Sequence, residues 1–198
     1  MRVNNFIKWD SGIIQNSSFH RNLTLIVSYI PPLTNLSPHN HIEPQMGICL
    51  SNEFMFSANH TQRNLHPDDA YIIGSNVQHS AVNTSHKGAY GVDIKFYDEC
   101  IGDHEPLYLK LDAGYENQYI KITKVFGDDL KYSIAELAHY HYLIAGVGTA
   151  DDADYDIDHG YQMFNIQDNP NIVSYALSGQ AALLIQVKED VFHTGGGL

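Results

Sequence analysis

The sequence predicts an all-β protein whose first half forms an antiparallel barrel or jelly roll. Two observations support this prediction. Between about residues 22 and 98, apolar side chains come in short runs that are rich in β-branched and aromatic residues. Prolines, asparagines and glycines that favour turns separate these runs at regular spacing, as in a fold of many short strands.

Seven segments of this half are predicted to be strands, because they alternate or consist of β-favouring residues. They are 22–30, the segment that carries His39 and His41, 45–50, 53–57, 70–73, 77–83 and 91–97. Pro31 and Pro32 end the first strand, since proline cannot donate a hydrogen bond to a sheet. Asn52 joins the third strand to the fourth and tolerates the left-handed backbone of a tight hairpin. We expect 33–38 to be a loop and 59–69 to be a polar connection.

The first twenty residues are predicted to be an arm that apolar side chains anchor. The anchors are Phe6, Ile7, Trp9, Ile13 and Ile14. We therefore divide the chain into an N-terminal arm at 1–20, a core with the polar motifs at 21–98 and a C-terminal extension at 99–198.

The C-terminal extension combines a predicted helix with later apolar segments. The helix is predicted from 130 to 144, because apolar residues recur there at helical spacing and Asp128 or Asp129 can cap its start. The apolar segments 171–175 and 181–187 follow. The sequence leaves open whether they add strands to the barrel or form a cap. No convincing repeat of the first half is present, which disfavours a second barrel.

Charge and composition limit the possible partners. The formal net charge of −12 argues against binding to nucleic acid or to an anionic membrane surface, both of which require basic residues. The N-terminus lacks the apolar core of a signal peptide, and no apolar run is long enough to span a bilayer. Two cysteines do not make a disulfide framework, and Cys49 in an apolar run is expected to be buried. These features predict a cytoplasmic protein that acts on a small molecule.

Three histidines and one glutamine form the most informative pattern of the chain. His39 and His41 are two residues apart, so a β-strand would place both side chains on one face. Gln45 follows four residues after His41, and His79 lies in a second polar motif. Three neutral imidazoles and one amide oxygen suit a divalent transition metal such as iron, zinc, manganese, cobalt or nickel, with room left for water or substrate.

These residues resemble the two metal motifs of the cupin family. In the first motif, His39, His41 and Gln45 occupy the ligand positions, with glutamine where cupins usually have glutamate. In the second motif, His79 and Asn83 match. The resemblance covers roughly residues 20–98, and it implies a jelly-roll barrel with one metal bound inside by these three histidines and Gln45.

The turn positions of the motifs depart from the cupin pattern. Leu33, Asn52, Asp68 and Asn76 stand where cupins have glycine, and Gly74 stands in the place of a proline. Asn52 and Asn76 can still supply left-handed turns, because asparagine tolerates this conformation.

Gln45 points to a class of chemistry. Since glutamine brings no charge, a divalent ion held by it and three histidines keeps a formal charge of +2 and stays strongly electrophilic. Among cupins, glutamine at this position resembles the isomerases of bacilysin biosynthesis and, more distantly, the cupin polyketide cyclases. The resemblance implies a metal-dependent enzyme that isomerises, cyclises or cleaves a small oxygenated or aromatic metabolite. Two alternatives stay open: an Fe(II)-dependent dioxygenase and a non-catalytic metal-binding or ligand-binding cupin.

Five further residues are candidates for catalysis or substrate binding. Glu43 lies between ligands and is a candidate general acid or base, although we favour a solvated charge at the rim of the site. Tyr29 is the second candidate for proton transfer. Tyr90, Asp93 and Lys95 lie on a strand expected to border the cavity, and the register decides which of them face it.

Other histidines and acids are interpreted without a ligand role. Those expected in exposed loops are His60, His66 and His86. His139 and His141 form a second His-x-His pair, which a helix would point in different directions and only a strand could bring to one ion. In the acidic segment 151–160, His159 stands where a calcium-binding loop needs glycine, and the glutamate of such a loop is missing, so we expect a solvated loop. The resemblance to cupins also implies a homodimer, with 1–20 as a possible exchanged arm.

Overall fold

The computed structural model describes residues 4–20, 22–98, 101–125, 141–146, 160–166 and 182–188, and these are all-β. Every strand pairing among them is antiparallel, which confirms the predicted fold class. The chain divides into two compact units, Met1–Lys110 and Leu111–Leu198. In the part of the chain that is described, no helix is long and apolar enough to cross a membrane.

The first unit contains eleven strands among its described residues. They are β1 (Asn4–Lys8), β2 (Ile14–Phe19), β3 (Leu23–Ile30), β4 (Thr34–His39), β5 (Gln45–Ser51), β6 (Phe54–Ala58), β7 (Thr61–Leu65), β8 (Asp69–Ile73), β9 (His79–Asn83), β10 (Ala89–Phe96) and β11 (Leu107–Lys110). Seven form one sheet in the order β1-β2-β3-β10-β5-β8-β11, and four form another in the order β4-β9-β6-β7.

The two sheets of the first unit share one hydrophobic core. Phe54 and Phe56 of β6 in the small sheet pack in the same cluster as Ile30, Cys49 and Tyr71 of the large sheet. The rings of Phe56 and Tyr71 stack with their centroids 3.6 Å apart and their planes 16° apart. Burial raises the pKa of the Cys49 thiol to about 12, so this cysteine is the buried thiol that its apolar run predicted.

The predicted strands at 22–30, 45–50, 53–57, 70–73, 77–83 and 91–97 are all present with shifted ends. Three other expectations for this half were wrong. The predicted loop at 33–38 is mostly strand β4, and the predicted polar connection contains β7, which pairs with β6. The N-terminal arm is a β1–β2 hairpin that pairs with β3 and widens the large sheet. Local polarity misled the predictions for β4 and β7, because edge strands tolerate polar residues on their exposed face.

Among the described residues, four of the five residues other than glycine that have a positive φ stand where the cupin pattern has glycine. The residues at these positions are Leu33 (φ +55°), Asn52 (+54°), Asp68 (+71°) and Asn76 (+60°). The predicted conformation of both asparagines is therefore confirmed. Asn52 does not close a hairpin, however, because β5 belongs to the large sheet and β6 to the small one.

The second unit contains a five-stranded sheet. Its strands are β12 (Tyr115–Glu116), β13 (Ile120–Val125), β14 (His141–Gly146), β15 (Tyr161–Asn165) and β16 (Ala182–Val187), in the order β12-β13-β16-β14-β15. Leu143, Ala145, Ile166 and Leu184 pack together in its core.

The helix predicted at 130–144 was wrong at its C-terminal end, because strand β14 starts at His141. This strand pairs with β16 and β15, and the pairing overrides the helical spacing of its apolar residues. The segment 182–187 is strand β16, which settles one of the alternatives for the later apolar segments in favour of a strand in this second sheet. The rest of the predicted helix, His139, the segment 171–175 and the acidic residues at 151–158 lie outside the described residues.

Candidate metal centre

His39, His41 and His79 come together in the first unit. His39 ends β4 and pairs in register with His79 at the start of β9. One ring nitrogen of each histidine lies within 4.8 Å of the others. The prediction that His39 and His41 share one strand was wrong, because β4 ends at His39 and His41 lies in the turn before β5. The two rings still come together, with centroids 6.0 Å apart.

The second motif holds the turn that carries His41. The backbone N–H of Asn76 donates to the carbonyl of His41 at 2.8 Å, and the hydroxyl of Ser75 donates to the carbonyl of Ile42 at 2.6 Å. The left-handed Asn76 aims its N–H at this turn. The two motifs are therefore joined through the backbone as well as through their histidines.

Backbone carbonyls fix the tautomer of all three histidines. In each ring, Nδ1 lies within hydrogen-bond distance of a carbonyl two residues away. The pairs are His39 with Ser37 (3.0 Å), His41 with Glu43 (2.7 Å) and His79 with Val77 (2.9 Å). A carbonyl only accepts, so the proton of each neutral ring lies on Nδ1. The lone pair of each Nε2 is left to bind a metal ion.

Gln45 completes the cluster from the first position of β5. Its side chain is buried, with 4% of its surface exposed. Its Oε1 lies 3.0 Å from Nε2 of His41, while its amide nitrogen donates to the Tyr71 hydroxyl and to Oδ1 of Asp93, both at 2.7 Å. The Tyr71 hydroxyl in turn donates to the same oxygen of Asp93 at 3.1 Å.

The surroundings of His41 fit a cation. Its two ring nitrogens face two oxygens, yet burial and the charge of Lys95 lower the pKa of this histidine, which favours the neutral ring with a single N–H. Because Nδ1 donates to Glu43, the lone pair of Nε2 faces the lone pair of the Gln45 oxygen. Two lone pairs at this distance repel unless a positive charge lies between them. The residues present therefore fit a divalent metal bound by His39, His41, His79 and Gln45.

Burial also keeps His79 neutral. Desolvation lowers the pKa of this histidine to about 4, and the neighbouring histidines and Lys95 add to the effect, although a hydrogen bond to Val77 opposes it. A neutral imidazole is the form that binds a metal. At neutral pH the ring is therefore ready to act as a ligand without losing a proton.

A cavity of about 500 Å³ opens beside the histidines. Small molecules bind in cavities of about this size. Most of its wall is apolar, with Ile26 and Ile30 of β3 among the lining residues. Asp93 and Lys95 line it, as two of the three predicted pocket residues, and Lys95 is the only lysine or arginine among the described residues of the wall.

The other predicted site residues lie away from the cavity wall. Tyr29 and Tyr90 pack on each other with ring centroids 5.0 Å apart, and neither belongs to the lining. The carboxylate of Glu43 lies 3.6 Å from Nδ1 of His41, on the side of the ring opposite the metal-binding nitrogen. Catalytic roles for Tyr29 and Glu43 stay predictions.

Sequence reasoning missed Tyr71, whose hydroxyl joins Gln45 to Asp93. One signal was available. Tyr71 is the only polar side chain within the apolar run of 70–73, and a buried tyrosine hydroxyl usually has a hydrogen-bond partner.

No family model matches the chain. Among solved structures, AerE from Microcystis aeruginosa is similar over 95% of this chain and 98% of its own, with a TM-score of 0.58 and 16% identity. An RmlC-like cupin from Shewanella frigidimarina covers 49% of this chain and 86% of its own, with a TM-score of 0.44 and 16% identity. Two antiparallel sheets hold the predicted motif histidines together beside a shared cavity. The first unit has the antiparallel two-sheet fold that the resemblance to cupins predicted.

One curated relative of this chain carries a functional name. The H2HPP isomerase of Bacillus subtilis is 37% identical over 90 residues, which are 45% of this chain and 38% of that protein. The predicted resemblance to a cupin isomerase is thus confirmed at the level of sequence. The chain spans well under half the length of this relative.

Proposed function

We propose that this chain is a metal-dependent cupin isomerase of small, oxygenated organic anions. The histidine cluster with the glutamine oxygen turned toward it is the observation that carries the proposal. The sequence match to an isomerase supports the reaction class. The alternative class of Fe(II)-dependent dioxygenases is tested by the same experiment.

His39, His41, His79 and Gln45 would hold one divalent transition metal. When bound, the metal supplies Lewis-acid polarisation of a substrate carbonyl or enolate oxygen. All four side chains are neutral as ligands, so they do not reduce its positive charge. The apolar cavity wall excludes water and thereby strengthens electrostatic interactions with the substrate.

Lys95 would bind the anionic group of the substrate. It is the one lysine or arginine in the described cavity wall, and it lies opposite Gln45 on the neighbouring strand. Burial is the main cause of the lowered pKa of His41 and His79, and the positive charge of Lys95 adds to it, which supports a position of Lys95 near the histidine cluster. A substrate that carries a carboxylate near a carbonyl would satisfy both Lys95 and the metal.

Solvent-deuterium exchange tests the reaction class directly. Metal-loaded protein is incubated in D2O with a panel of small 2-oxo acids that carry a carbon–carbon double bond, and proton NMR follows the carbon next to the carbonyl. We expect deuterium incorporation together with migration of a double bond, without oxygen uptake at an electrode. Oxygen consumption coupled to turnover would replace the proposal with the dioxygenase.

Variants separate the roles of metal and lysine. We expect His79→Ala to abolish metal binding and exchange. Lys95→Met removes the charge but keeps most of the length of the side chain, and it should raise KM for anionic substrates while leaving metal affinity nearly unchanged. Glu43→Gln and Tyr29→Phe test the two predicted proton carriers. Bound metal without exchange on any substrate would favour a non-catalytic binding protein.

A further inference from the structure

Gln45, Tyr71 and Asp93 form a closed hydrogen-bonded triangle next to the histidine cluster. We propose that Asp93 and Tyr71 are positioning residues that hold the Gln45 amide with its oxygen toward the metal. Among the described residues, neither Asp93 nor Tyr71 makes a side-chain hydrogen bond to a histidine of the cluster. The inference rests on the metal site proposed above and adds that two further residues orient its glutamine ligand.

The directions of the hydrogen bonds fix the orientation of the amide. Oδ1 of Asp93 accepts from both the Gln45 amide and the Tyr71 hydroxyl. The hydroxyl has given its only proton to Asp93, so it can only accept from Gln45. Both contacts of the Gln45 nitrogen are thus with acceptors, and the oxygen must point to His41.

The reversed amide would be wrong for a metal. It would place Oε1 against the Asp93 oxygen at 2.7 Å and turn an NH2 group toward Nε2 of His41. That NH2 group would occupy the lone pair that a metal needs and would repel a cation. Because a buried polar atom without a partner is costly, the two hydrogen bonds from the Gln45 nitrogen select one orientation of the amide.

The strand register explains how these side chains meet. Tyr71 of β8 and Asp93 of β10 both pair in register with Gly47, one from each side of β5. Gly47 has no side chain, so the Tyr71 ring lies across β5 at this point. Gln45 lies two residues earlier, on the same face of β5.

Metal affinity in a double-mutant cycle tests the inference. We expect Asp93→Ala and Tyr71→Phe each to weaken Co(II) binding by roughly 10- to 100-fold, as loss of a partner behind a metal ligand usually does, and to alter the Co(II) absorption spectrum. In a Gln45→Ala background the same changes should have no further effect, because the residues act through Gln45. Equal losses in both backgrounds would overturn the inference and indicate direct attraction between Asp93 and the ion.

Asp93→Asn separates hydrogen bonding from charge. The asparagine oxygen can accept both hydrogen bonds, so we expect it to restore most of the affinity lost in Asp93→Ala. If Asn binds as weakly as Ala, positioning is not the role of Asp93. Thr24→Val serves as the control, because it removes the partly buried hydrogen bond between Thr24 and Tyr97, which does not involve the triangle.

A metal-free measurement keeps the test independent of the proposed function. In the NMR spectrum of the apoprotein, the two side-chain amide protons of Gln45 should be shifted from the positions of a solvated amide and protected from exchange with water. Both features should be lost in Asp93→Ala and kept in Thr24→Val. Unprotected amide protons in the wild type would overturn the inference, whereas absence of metal binding alone would overturn the proposed function.

Discussion

The ring of Tyr71 occupies the space that a side chain on Gly47 would fill. A Cβ built on Gly47 overlaps the ring and hydroxyl of Tyr71, which faces it in register from the neighbouring strand. The glycine thus allows the tyrosine to lie across β5 and reach Gln45. Gly47 binds no metal itself, but through Tyr71 it affects the orientation of Gln45, a proposed metal ligand.

Gly47→Ala should damage both stability and metal binding. The added methyl group must displace the Tyr71 ring, and overpacking of this kind costs about 1–3 kcal/mol. Urea unfolding and Co(II) titration would measure the two effects. Gly91→Ala is the matched control on the adjacent strand, where the nearest atom to a new Cβ is the Ile48 oxygen at 3.3 Å. Equal losses in both variants would contradict the role of Gly47.

Asn83→Ala should unfold the first unit more easily without changing the metal site. The Asn83 side chain is fully buried and donates to the carbonyls of Ile30, Pro31 and Lys87. Its loss leaves buried carbonyls without partners, so we expect a cost of about 2–4 kcal/mol in the free energy of unfolding. Asn64→Ala, which removes one exposed bond to Glu53, should cost far less. A large fall in metal affinity of the folded variant would contradict this separation.

Leu33→Gly should stabilise the protein. Leu33 has φ +55° and is 66% exposed, so its side chain gains little from burial while its backbone is strained. Glycine removes a left-handed penalty of about 1–2 kcal/mol and adds a smaller entropic cost. We expect a net gain of about 0.5–1 kcal/mol in thermal or urea unfolding. Ile42→Gly, also exposed but without a positive φ, should lower stability instead.

The metal-free protein should lose stability as the pH falls from about 6.5 to about 4. Burial lowers the pKa of His79 from 6.5 to about 4. In this range His79 is protonated in the unfolded chain but stays neutral in the folded protein. Lowering the pH therefore reduces the free energy of unfolding by roughly 2–3 kcal/mol in total. Urea unfolding in a chelator at several pH values would measure the slope. His79→Asn should flatten it, and an unchanged slope would contradict the prediction.

Much of the fold was readable from local patterns. Short β-favouring runs identified six of the central strands, because β-branched and aromatic side chains pack well on the half-buried surface of a sheet. The left-handed turns at Asn52 and Asn76 followed from the tolerance of asparagine for that conformation. Edge strands β4 and β7 were missed, because their exposed faces are polar.

The sequence by itself determined which side chains could bind a metal, through the spacing of His39, His41, Gln45 and His79. Only the tertiary structure decided how they meet: His41 enters from a turn, and the register of three strands brings Tyr71 and Asp93 to Gln45. The same register put Lys95 on the cavity wall and left Tyr29 and Tyr90 off it. The physical reason is that strand pairing joins residues distant in sequence, and a shift of one position moves every side chain to the other face.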